Sequence, residues 1–90
     1  MVPSDFPGAE IVAPGLADLA AGRASVAALV VSIGAPRLRR LGFDVVSPIR
    51  DAERALYLRL AAEDPDGAHS RYNGLVRRLV SFERASACAR

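Results

Sequence analysis

Ninety residues, 51% apolar and 24% charged, describe one globular domain and exclude a disordered chain. A single cysteine, Cys88, excludes an internal disulfide and a multi-cysteine metal site, and favours a reducing, cytoplasmic compartment. The net charge is +2, with Asp5, Glu10 and Asp18 but no arginine before residue 23, an asymmetry too mild for a dedicated nucleic-acid binder.

Residues 1–15, MVPSDFPGAEIVAPG, hold three prolines and two glycines. Proline lacks the amide donor and restrains its neighbour, so the stretch is expected to form an extended arm. Ile11 and Val12 would pin that arm to the domain or to a second chain. Residues 16–90 then form a single helical domain. Leu16 to Ala21 reads as a short helix closed by Gly22, since glycine accepts the left-handed conformation at a helix end. Ser25 offers an N-cap for VAALVVSI, residues 26–33. That run is apolar nearly all round and is expected to be buried, as a central helix; a strand is the alternative.

In GAPRLRRLG, residues 34–42, Gly34 stops the buried element and Pro36 suits the first turn of the next. Leu38 and Leu41 can point inward while Arg37, Arg39 and Arg40 point elsewhere, and Gly42 closes the turn. Ser47–Pro48 repeats the cap-then-proline start. Residues 48–63 therefore read as a helix with Ile49, Ala52, Leu56 and Leu60 on one face. Arg50–Glu53, Asp51–Arg54 and Arg59–Glu63 are spaced for surface ion pairs. Asp64-Pro65-Asp66-Gly67 is a turn. Ser70 can cap a last helix from 71 to about 87, striped by Tyr72, Leu75, Val76, Leu79 and Phe82. The fold expected is all-α: a small bundle of four or five short helices, the last two forming an antiparallel hairpin. An α+β fold follows only if residues 26–33 are a strand.

Lysine, threonine, glutamine and tryptophan are absent, and all twelve basic residues are arginine. GC-rich coding explains this and suits a bacterial source; selection for guanidinium forks that grip carboxylate or phosphate is the sharper alternative. No segment reaches the ~18 apolar residues needed to span a bilayer, and the N-terminus lacks the features of a secretion signal. Arg77 and Arg84 align at i,i+7 on the last helix, as do Arg71 and Arg78 on a neighbouring line. With Arg37, Arg39 and Arg40 they are the candidate contacts for an anion or a nucleic acid. A helix-turn-helix is a poor match, because only a short helix fits between Pro36 and Gly42 and Arg40 falls where a buried residue is wanted. No aromatics interleave with the arginines for base stacking.

Glu83 falls about 40° from Leu79, inside the apolar stripe, so it should pair with an arginine of a neighbouring helix. His69 stands alone, and neither it nor DPDG supplies a zinc or calcium ligand set. No phosphate-binding glycine loop is present. The sequence thus offers no catalytic residue, cofactor, metal or small-molecule substrate. Its unusual feature is surplus apolar surface. Leu58 lies about 160° from Leu56 on the same helix, with Tyr57 between the two faces. One buried stripe cannot hide both leucines, and a small domain has little core to spare. Tyr57, Leu58, Ile11 and Val12 are therefore the candidate partner interface. The expected function is a non-enzymatic interaction or regulatory module, self-associating or an antitoxin-like small subunit. The alternative is a small arginine-rich nucleic-acid-binding regulator.

Overall fold

Ser25 opens the second helix where the sequence places its cap. Its Oγ accepts the Ala28 amide at 3.0 Å in the computed structural model, which describes residues 2–89. The hydroxyl satisfies one of the amide donors that every helix start leaves open. In chain order the helices are α1 (Ala9–Ala20), α2 (Val26–Ile33), α3 (Ala35–Arg40), α4 (Ala52–Glu63) and α5 (Ala68–Cys88), and no strand forms among the described residues. The all-α expectation holds, and residues 26–33 are helical. α2 is the hub: α1, α3, α4 and α5 all pack on it, and Ala28 to Ser32 are buried. A helix surrounded on all sides needs no polar face, which is why its sequence shows none.

Both early glycine stops are Schellman motifs. After α1, the Arg23 amide donates to the Asp18 carbonyl (2.8 Å) and Gly22 to Leu19 (3.0 Å). After α3, Phe43 donates to Leu38 and Gly42 to Arg39, both at 3.0 Å. Gly22 and Gly42 have φ of 76° and 100°.

Three boundaries differ from the sequence reading, each for a tertiary reason. The extended arm over 1–15 is not what forms: α1 begins at Ala9 and runs through Pro14 and Gly15. Pro14 removes the amide that would bond the Glu10 carbonyl, but both residues are exposed, so water can hydrate that oxygen. Gly15 is buried at the crossing of α1 on α2, where a Cβ would meet the Ala27 carbonyl and lie 2.8 Å from Val31 Cγ1. The residue that looks like a helix breaker is the one that lets the helices touch. Ahead of α1, Phe6 packs on Phe82 (ring centroids 5.9 Å apart), and Phe43 packs on the same ring at 5.3 Å.

α4 starts at Ala52 rather than Pro48. Ser47 and Asp51 both adopt left-handed conformations, with φ of 48° and 54°. The segment between α3 and α4 is held instead by tertiary contacts: Val45 is buried, and the Ile49 amide donates to Ser32 Oγ at 2.9 Å. α5 starts at Ala68, ahead of the expected Ser70 cap, with Asp64 Oδ1 accepting the Gly67 amide (3.2 Å) in the turn. The ion pair spaced for Arg59 and Glu63 does not form. Arg59 donates to the Ala24 carbonyl, and Glu63 pairs with Arg71 of α5 at 3.4 Å. Among the described residues, no helix is long and apolar enough to cross a membrane.

Candidate functional site

Two surfaces gather the residues singled out from the sequence. The first is the outer face of α4. Leu56 and Leu60 face α2 and α5 and are fully buried, which by helical geometry turns Leu58 outward. Leu58 is 56% exposed and Tyr57 41% exposed, and Val46 is the other large exposed hydrophobic. Tyr57 is steadied by Tyr72 of α5, edge to face at 5.9 Å. The other two candidate interface residues are not on this face. Val12 is fully buried in the chain's own core, because α1 replaces the expected arm and turns Val12 inward; it is not available to a partner. Ile11 is half-buried against the same core.

The second surface lies between α3 and α5. A groove of about 550 Å³ is lined by Arg37, Arg40, Leu41, Glu83, Arg84 and Ala87. A neighbouring hollow of about 270 Å³ shares Arg37, Arg40 and Glu83 and reaches Ile33 and Leu79. Glu83 pairs with Arg37 at 3.7 Å, the cross-helix arginine its position in the apolar stripe called for. The approach depends on Gly34, where a Cβ would stand 2.9 Å from Glu83 Oε2 and from Leu79 Cδ1. At 3.7 Å the pair is an ion pair and not a hydrogen bond. Burial pushes the Glu83 carboxyl above its usual range, and the positive charge of Arg37 only partly opposes this.

The remaining arginines do not form one basic stripe. Arg39 donates to the Val45 carbonyl at 2.7 Å, and Arg71 is paired with Glu63. Arg71 and Arg78 flank a separate depression that includes Val26, Gly74 and Leu75. Arg77, Arg78 and Arg84 are exposed and make no ion pair among the described residues.

Groups with catalytic chemistry stay apart. On one helix rising 1.5 Å per residue, Glu83 stands about 17 Å from Tyr72 and about 21 Å from His69. His69 Nε2 lies 3.2 Å from Asn73 Nδ2 on the exposed side of α5, and Cys88 is exposed. Among the described residues, no cluster of three or more His, Cys, Asp or Glu could hold a metal ion.

One polar joint went unnoticed in the sequence. Asp18 Oδ1 accepts Arg23 Nε (3.0 Å) and Nη2 (2.9 Å), while its Oδ2 accepts the Ser25 hydroxyl at 2.5 Å. The Ser25 and Arg23 bonds hold the Asp18 carboxyl below its usual range. The spacing Asp18, Gly22, Arg23, Ser25 carries the signal, but it can be read only once Gly22 is known to turn the chain back. Ser86 Oγ is buried without a hydrogen-bond partner among the described residues.

Comparison with protein-family models, with curated proteins and with solved structures finds no match to this chain. Its function is therefore argued from its own surfaces.

Proposed function

We propose that this chain is a non-enzymatic helical interaction module that buries the outer face of α4 against another protein surface, a second copy of itself being the first expectation. The observation that carries this reading is the 56% exposure of Leu58 beside Tyr57 in a domain whose other large apolar side chains are mostly covered. Exposing a leucine and a tyrosine together forgoes apolar burial worth about 1.5–3 kcal/mol for each side chain, a loss that a partner can recover. A small regulatory subunit, or the neutralising partner of a toxin-like protein, fits the same surface. The lone cysteine and the arginine- and alanine-rich composition favour the bacterial cytoplasm as its setting.

Sedimentation equilibrium at protein concentrations on the order of tens of micromolar tests it. Wild type should exceed the 9.5 kDa monomer mass or travel with a co-purified protein. Leu58→Glu should return it to a lone monomer. A wild-type chain that stays monomeric and brings no partner from its host overturns the reading.

The alternative, a nucleic-acid-binding regulator, draws support from the exposed Arg77, Arg78 and Arg84. It requires affinity for mixed DNA or RNA that falls steeply with added salt. The absence of any mobility shift at low salt removes it.

A further inference from the structure

We infer that the groove between α3 and α5 is a docking site for an acidic, partly apolar peptide segment of a partner protein, gripped by Arg37, Arg40 and Arg84. Three guanidiniums face one carboxylate there, so the groove keeps a positive excess. Glu83 sits beneath that excess. Its side chain is 6% exposed, whereas the Arg37 side chain it pairs with is 59% exposed. A buried carboxylate thus steadies an arginine whose other side is open to solvent, and an arginine held in place loses less entropy on binding an anion. Arg37 and Arg40 stand one turn apart on α3 and project together. Arg84 approaches from α5.

The floor of the groove decides which anion it suits. Leu41 and Ala87 line the larger hollow, and Ile33 and Leu79 the adjoining one. A peptide carrying carboxylates beside a leucine or similar side chain would meet both kinds of wall. A phosphodiester backbone would leave the apolar floor unused. The groove has no aromatic ring for base stacking, and Arg71 and Arg78 line a different depression. This surface is distinct from the α4 face, so peptide binding tests it while sedimentation tests α4.

The probe is a short fluorescein-labelled peptide of glutamate with leucine at each helical turn, followed by fluorescence anisotropy at low salt. Saturable binding is expected, with no binding of the same peptide carrying glutamine for glutamate. Arg84→Glu and Arg40→Glu should each weaken it by about tenfold. Arg77→Glu makes the same change in net charge outside the groove and should weaken it far less. Thermal melting confirms that each variant is folded, and Arg84→Gln replaces a charge-reversed variant that is not. The inference is overturned by no saturable binding to wild type, by equal losses in Arg77→Glu and Arg84→Glu, or by mixed-sequence single-stranded DNA displacing the peptide more effectively than unlabelled peptide does.

Discussion

The joint between α1 and α2 and the joint between α3 and α5 use the same parts and obtain opposite results. Each has a glycine at a close helix approach, Gly15 in one and Gly34 in the other, and each has a carboxylate facing an arginine. At the first joint, Asp18 takes short bonds from Arg23 and Ser25 near solvent, and its ionised form is favoured. At the second, Glu83 is buried, Arg37 stays at 3.7 Å, and the ionised form is disfavoured. Hydrogen bonds made to a charge, rather than the mere presence of an opposite charge, decide which way a carboxylate is pushed. The first joint is built to hold two helices together. The second gives up some stability and keeps guanidiniums at the surface.

That contrast can be broken or sharpened by mutation. The largest effect is expected for Gly15→Ala, whose new methyl would meet the Ala27 backbone, which cannot swing aside. A loss of about 3 kcal/mol is expected, or roughly 15 °C in the melting temperature of a domain this size. Ser25→Ala removes both the α2 cap and a donor to Asp18 and should cost about 1.5 kcal/mol in a denaturant titration. Gly34→Ala should cost less, about 1 kcal/mol, because the atoms its methyl meets are the ends of the Glu83 and Leu79 side chains. A Gly34→Ala variant as damaged as Gly15→Ala would mean that the α3–α5 joint is as rigid as the other.

The smallest effect is the most diagnostic, because its sign reverses between the two carboxylates. Glu83 has a raised carboxyl in the folded state, so the fold binds more protons than the unfolded chain and loses stability as pH rises. That loss begins near pH 4.5, the ordinary value, and is complete above the raised one. Glu83→Gln should therefore raise the melting temperature at neutral pH and change it little in acid. Asp18 has a lowered carboxyl, so its contribution is present above the ordinary value of 3.8 and fades as pH falls through the lowered one. Asp18→Asn should lower the melting temperature at neutral pH and flatten the acid limb. Melting curves across pH that shift in the same direction for both variants would contradict the contrast.

Much of the architecture was legible in the sequence. Ser25 capped the helix it preceded, Gly22 and Gly42 ended theirs, and the apolar run at 26–33 became the central helix. Glu83 was marked by its place in the stripe, and Leu58 by its angle from Leu56. What failed were local rules overridden by packing. Pro14 and Gly15 read as a break, yet one has its gap in water and the other sits in a helix crossing. The Ser47–Pro48 start signal fell in a segment held by Val45 and by the Ile49–Ser32 bond. Val12 was assigned to an interface only because the arm was thought extended. The α3–α5 groove could not be foreseen, since no spacing along the chain tells which arginines of two distant helices share a hollow.

The most direct test of the interaction reading is affinity capture from the native host with tagged wild-type and Leu58→Glu baits, read by quantitative mass spectrometry. Wild type should retain a stoichiometric protein, its own untagged chain included, that Leu58→Glu loses while remaining folded. Identical sets on both baits, or no retained protein on either, would contradict it.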